Sequence, residues 1–318
     1  MPEAQGGGVP YIGTHYGDTS VAEDVSEMIY QLTPEDTPFY NSTEDTTSNG
    51  VFHQWQSIAI GGRSHNANYE GSTFLFTAGM QLVDPRRFNI TQIFNKMIRV
   101  SGTEVALQHY GIANIFLQQM KIRGAELKMD IEHSMLNSTI ASGASGTARV
   151  QQGLINFVVS GVSTYTTHAA GVTITETHFN DFQQTCWEYG SKPKDWFMHG
   201  RMRRRISGFV TGQTKFINVE AYKSVNTQSV YESDFNVVKL HLCRDIPYQT
   251  ASGAFSGYTG YGLLGVDLRL VKKAWLRRIE AMRTPKIADS FDGVLMGEMC
   301  IEGGHPNAHY YLKGSLTG

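Results

Sequence analysis

The chain has 318 residues, 41% of them hydrophobic and 18% charged, and a formal net charge of -2. That length and apolar content support a sizeable core and exclude disorder throughout. The slightly acidic balance excludes a dedicated nucleic-acid binder, whose affinity comes from neutralising phosphates, so any contact with nucleic acid is expected to be local.

Cys186, Cys243 and Cys300 are odd in number and far apart. They indicate neither a closed disulfide framework nor a clustered zinc site and are expected as buried thiols. No apolar run approaches the roughly 20 residues that span a bilayer. Met1 to Gly13 has neither the basic nor the apolar region of a signal peptide, so folding in a cytoplasm without membrane contact is expected.

The first twenty residues, with Gly6-Gly7-Gly8 and no apolar period, read as an extended arm without its own core. Val21, Val25, Met28, Ile29 and Leu32 then recur at helical spacing, predicting a short amphipathic helix closed by Pro34. Val51 to Ile60 and Phe88 to Val100 read as strands; in the second, Phe88, Ile90, Phe94, Ile98 and Val100 share one parity. The Gly-, Asn- and Ser-rich stretch between them, followed by Phe74, Leu75 and Phe76, makes a two-stranded excursion with a long tip the simplest reading. Such a hairpin is marginal alone in water, so its aromatic residues are expected either to dock on another surface or to fold onto the chain's own core.

Ile112, Phe116, Met120, Leu127, Ile131 and Met135 lie on one stripe, predicting a long helix over Tyr110 to Leu136, a strut of about 40 Å. Gly124 inside it marks either a close backbone crossing or simple tolerance. After Ser142 to Gly146, a flexible connector, comes a short apolar run from Leu154 to Val159. Phe179, Phe182, Cys186 and Tyr189 predict a second helix ended by Gly190. Trp196-Phe197-Met198 predicts a strand covered on both faces. Val237 to Leu242 and Leu263 to Val271 read as further strands, giving an α+β texture without a regular βαβ repeat.

Chemical motifs fail in context. Gly260-x-Gly262-x-x-Gly265 has the spacing of a dinucleotide fingerprint but is followed by strand-like alternation instead of a helix. The histidines show no metal-binding spacing and no Gly-x-Ser-x-Gly elbow exists, so no catalytic, cofactor or metal site is assigned. The clearest cationic groups are Arg201, Arg203, Arg204 and Arg205, and then Lys272, Lys273, Arg277 and Arg278. They face phosphate or form intersubunit ion pairs or a solvated surface; the sequence leaves all three open.

Read in order, several segments resemble the tailed-phage major capsid family with the Hong Kong 97-type fold, in the subgroup related to phage SU10. They are Glu23 to Tyr30 leading to Thr33-Pro34-Glu35-Asp36-Thr37-Pro38-Phe39, then His53-Gln54-Trp55-Gln56 and Ile98 to Thr103. Gly124 to Glu132, Thr147-Ala148-Arg149, Gly153-Leu154 and a closing Glu298 to Gly314 ending in Lys313-Gly314 follow. No one segment decides; the order carries the weight. The resemblance implies an arm (1–44), an extended loop (45–100), a peripheral domain (101–174) with a spine helix over about 109–137, an axial domain (175–290) and a return to the peripheral domain (291–318). It further implies a non-enzymatic subunit that binds many copies of itself, with portal, decoration and separate scaffolding proteins as partners and packaged double-stranded DNA contacted non-specifically. Trp55, Phe74, Phe76 and Lys96 are the candidate intersubunit contacts. Some relatives crosslink through a loop lysine, but nothing around Lys96 assigns that chemistry here. Residues 208–236 are not matched to a particular family segment by this reading, and a loop insertion is expected there. A different virion component, an encapsulin-like cellular shell and an oligomeric enzyme are the alternatives, separable by contents, assembly and turnover.

Overall fold

The computed structural model describes residues 36–58, 65, 67–73, 86–109, 111–161, 165–167, 174–209, 230–246, 261–286 and 288–314. Residues 1–35 of the expected arm, with the helix over Val21 to Leu32, and Phe74 to Phe76 lie outside these residues, as does most of 208–236; residues 36–44, expected as arm, are described and form a short helix and the start of a strand in the body.

Twelve strands form three sheets among the described residues. A four-stranded sheet has the order β1 (Glu44–Thr47), β10 (Lys272–Arg283), β11 (Ser290–Glu302), β4 (Gln92–Ser101). A six-stranded sheet has the order β5 (Tyr165–Thr167), β12 (Tyr310–Gly314), β9 (Tyr261–Val266), β6 (Asp195–Met198), β8 (Val237–Leu242), β7 (Val230–Glu232). The third pairs β2 (Phe52–Trp55) with β3 (Arg87–Ile90). The helices are α1 (Pro38–Ser42), α2 (Gly102–Ala106), α3 (Ile115–Asn137), α4 (Leu154–Gly161), α5 (Glu176–Glu188) and α6 (Gly200–Gly208).

The long helix is α3. It starts later than its apolar stripe suggests because Asn114 caps it, its side chain accepting from the Leu117 amide at 3.1 Å, while Ile112 sits in a loop bridged to His109. Phe116, Leu127, Ile131 and Met135 bury against Phe94, Ile98 and Val100 of β4 and Leu295 of β11. Helix period and strand parity thus meet in one core.

The two-stranded excursion is shorter at its root than expected. Among the described residues only Phe52–Trp55 pairs with Arg87–Ile90; beyond Thr91 the chain leaves its partner and pairs with β11 along ten residues, from Gln92↔Met299 to Ser101↔Ser290. The break has a local cause: the Thr91 amide donates to the Val51 carbonyl, while its hydroxyl donates to buried Glu298 at 2.7 Å, turning the strand between sheets.

β6 is covered on both faces. Phe197 faces the core shared with α3 and α4, whereas Trp196 and Met198 face a second core under α5 and α6. Gly265 stands opposite Trp196 in β9, and a Cβ there would come within 3.0 Å of the indole, so this glycine is the floor on which the tryptophan lies. Gly262 and Gly265 of the apparent fingerprint are therefore strand residues. The expected strand running on to Val271 stops at Val266, because Asp267 caps a 3-10 turn over Leu268–Leu270. α5 ends as expected at Gly190, whose φ of 80° lies in the region that favours glycine.

Candidate functional site

The root of the excursion is bolted to the body. Trp55 Nε1 donates to the Gly304 carbonyl at 2.6 Å, and its ring lies 5.9 Å from Phe157 of α4. His53 Nε2 is 2.9 Å from Glu302 Oε2, and the Arg87 guanidinium lies over the Phe157 ring. Trp55 thus fixes where the excursion leaves its own chain. Lys96 is in β4 rather than on the excursion, and its ammonium pairs with Asp130 at 2.7 Å and Glu126 at 3.7 Å on α3. Phe74 and Phe76 lie outside the described residues.

The two cationic groups sit on different elements, one on strand β10 and one on helix α6, and differ in kind. Lys273 is buried, its Nζ donating to the Tyr40 carbonyl at 2.7 Å, 3.2 Å from Asp45 and 4.0 Å above the Tyr40 ring. Arg278 pairs with Asp45 at 3.1 Å, and Arg277 grips Glu298 at 2.8 Å. Three of these four cations are therefore spent within the chain, tying β1 and β11 to β10. Lys272 is half-buried at the start of β10. The arginine run forms α6, where Met202 and Ile206 point into the second core and Arg203 donates to the Leu240 carbonyl at 3.1 Å. Arg201 and Arg204 are exposed and Arg205 is half-exposed.

Two buried carboxylates escaped the sequence reading. Glu298 accepts from Thr91, Arg149 and Arg277 at once, joining the junction between β3 and β4, the segment before α4, and β10 to β11. Gln151 extends this bracing, accepting from the Ile301 amide at 2.9 Å and donating to Ser134 of α3 at 3.0 Å. Glu132, fully buried on α3, accepts from the Tyr40 amide at 3.1 Å and from Cys243 Sγ at 3.3 Å. Burial pushes its carboxyl up to about 7, with the nearby Asp245 adding to the rise. A carboxylate within the apolar arc of Leu127, Ile131 and Leu136 was the available sequence signal for Glu132.

Glu132, Cys243 and Asp245 bring ligand atoms within 4.8 Å of one another. The chemistry suits shared protons better than a cation. Cys243 keeps its proton, since burial first and the neighbouring Glu132 second push its thiol upward, whereas a metal-binding thiol must lose it. Asp245 is already engaged, its carboxylate 3.3 Å from His133 and its carbonyl accepting from Asn137. The cluster joins α1, α3 and the segment after β8.

The outer face of the four-stranded sheet, opposite α3, carries an apolar row in register: Met97 pairs with Val294, and Val294 with Met282. Met97 is 73% exposed and Met282 45%. Ile93 lies on the same face of β4 and is also exposed. An in-register apolar row on a sheet face is a contact surface in form.

With this geometry in hand, the chain can be placed among known proteins. It is 30% identical over 129 residues to the major capsid protein of Escherichia phage Phieco32, a match covering 40% of this chain and 36% of that protein, about a third of the relative's length. Its fold resembles that of a protein from Microbacterium phage Oxtober96 (TM-score 0.63, 11% identity, 93% of this chain and 96% of the other). It also resembles the capsid of a native GTA particle (0.62, 12%, 95% and 98%) and the SrpI encapsulin of Synechococcus elongatus PCC 7942 (0.59, 11%, 92% and 92%). Residues 11–315 match the SU10 major capsid protein family from near one end of the chain to near the other, and the chain belongs to that family.

Proposed function

We propose that the chain is the major capsid protein of a tailed double-stranded DNA bacteriophage, self-assembling as pentamers and hexamers into an icosahedral head. The family match over residues 11–315 carries this reading. In this reading the α+β body has the Hong Kong 97-type layout. The four-stranded sheet with α3 acts as the peripheral domain and its strut, and most of the six-stranded sheet with α5 and α6 as the axial domain around five-fold and six-fold centres. Residues 1–20 of the arm and the part of the extended loop beyond Trp55 cross to neighbouring copies, with Trp55 setting the direction of departure and Phe74 and Phe76 making the contact, while Lys96 braces β4 against α3.

The row Met97, Val294, Met282, with both methionines exposed, supports association, because an apolar face of this kind gains by burial. Each contact is modest, and a closed shell repeats it many times, so weak interfaces sum to a stable particle. Arg204 and Arg205 of α6, with Lys272, are the cations of these groups assigned to meet packaged DNA or a neighbour's carboxylates. Portal, decoration and separate scaffolding proteins complete the virion, assembled in the host cytoplasm; no cofactor or catalysis is invoked.

An encapsulin-like cellular shell is the second reading, favoured by the likeness to the SrpI encapsulin. Negative-stain electron microscopy of the purified chain, with scaffolding protein supplied, tests the first. Closed shells or sheets of six-fold rings are expected; a small homogeneous oligomer that never closes would overturn it. Shells from the native source that hold an enzyme in place of DNA would establish the second.

A further inference from the structure

The two flanks of α3 are treated differently. On one, Arg123 pairs with Glu126 at 2.7 Å, and Lys96 of β4 reaches Glu126 and Asp130. On the other, Lys121, Gly124, Ala125 and Lys128 follow one another at helical spacing. Both lysines are exposed and neither has an ion-pair partner among the described residues. Between this flank, Thr37 and Asn41 at α1, and Ile279 of β10 runs a groove of about 460 Å³. Its floor is Gly124, where an added Cβ would meet no atom within 4 Å, so the glycine does not accommodate any backbone of the described chain. An apolar floor with a lysine at each end, about 10 Å apart along the helix, is built for an amphipathic segment with acidic edges.

The chain carries such a segment where the described residues begin. Residues 1–35 contain no lysine or arginine. Between residues 21 and 32, Val21, Val25, Met28, Ile29 and Leu32 alternate with Glu23, Asp24 and Glu27 at helical spacing. The segment joins the body at Asp36, itself 3.7 Å from Arg244, and the next residue, Thr37, lines the groove. A tether this short gives a high effective concentration at the site. We infer that residues 21–32 of each chain dock in that chain's own groove on α3, their apolar stripe over Gly124 and Ala125 and their carboxylates against Lys121 and Lys128.

The test is zero-length carbodiimide coupling, which joins only an amine and a carboxyl already in contact, applied to the full chain prepared as an equal mixture of light and heavy isotopic forms. Peptides linking Lys121 or Lys128 to Glu23, Asp24 or Glu27 are expected, each entirely light or entirely heavy. Mixed-label links would show that a neighbour's segment fills the groove and would overturn the assignment, as would the absence of any such link. A second readout is chymotryptic cleavage after Tyr30. The double variant Lys121→Glu/Lys128→Glu should speed it roughly fivefold, and adding Glu23→Lys, Asp24→Lys and Glu27→Lys should restore protection. Cleavage unchanged by the first set, or not restored by the second, would count against the proposal. Both readouts work on assembled or unassembled protein, so failure here and failure to form shells are distinguishable.

Discussion

The two large sheets are held by different physics. The six-stranded sheet and α5 close on rings: Phe179 meets Trp196 at 5.2 Å and Tyr231 at 5.1 Å, and Phe182 stacks on Tyr310 at 5.2 Å. The four-stranded sheet is cross-braced by buried polar groups, with Glu298 and Gln151 taking donors from several strands and Lys273 tying β10 to α1 and β1. Aromatic packing is strong but tolerant of small shifts, whereas a buried carboxylate accepts only the geometry that satisfies it. Under the proposed function the outer face of this sheet meets neighbouring copies, which needs fixed register, and the bracing supplies it.

The largest break in this contrast is expected from Trp196→Ala, which empties the second core and should cost about 3–5 kcal/mol in chemical denaturation. Hydrogen exchange should show β6, β8 and β9 loosened well before β4 and β11. Glu298→Ala should do the reverse. It leaves Thr91 and two arginines without their acceptor, but both guanidiniums reach solvent, so about 2–4 kcal/mol is expected. Equal loosening of both sheets by either variant would erase the distinction.

Protons sharpen the comparison. Burial raises the Glu132 carboxyl from 4.5 to about 7 in the folded chain. The folded state therefore holds its proton longer than the unfolded state, and this stabilisation is full below about 4.5 and lost as pH rises through 7. Glu132→Gln should remove that slope, being more stable than the parent at pH 8 by about 1–2 kcal/mol and no better at pH 5. A parallel pH profile for parent and variant would show that Glu132 does not titrate in this range. His309 acts in the opposite sense. Burial lowers it from 6.5 to about 4, the Asp267 amide donating to its Nδ1 while its Nε2 lies 2.8 Å from the Gly303 carbonyl. Its contribution is present above 6.5 and lost as pH falls toward 4.

The smallest effect is expected at α6. Arg204→Glu with Arg205→Glu should change stability by less than about 0.5 kcal/mol, since both side chains reach solvent. Retention of packaged DNA should fall while empty shells still assemble. A variant normal in both assays would remove these arginines from the DNA-facing set.

Where one residue's pattern was enough, the sequence was legible. The α3 stripe, the buried strand Asp195–Met198 and the helix ended by Gly190 needed only local period and punctuation. α4 was not legible as a helix, because an eight-residue apolar run fits a buried helix or strand equally. The strand β10 was hidden by its charge: Lys272, Lys273, Arg277 and Arg278 leave their partners open until Asp45, more than two hundred residues away, is seen beside Lys273 and Arg278, and Glu298 of the neighbouring strand beside Arg277. Periodicity reports which face is buried; it does not report which charges find partners across two hundred residues.

A cryo-electron microscopy reconstruction of particles assembled from the chain tests the central claim most directly. The account predicts closed icosahedral shells in which the core of the six-stranded sheet, around β6 and β9, surrounds the five-fold and six-fold centres and the face bearing Met97, Val294 and Met282 is covered by neighbouring copies. Particles without such a lattice, or shells that leave this face open to solvent with the six-stranded sheet away from the symmetry centres, would contradict it.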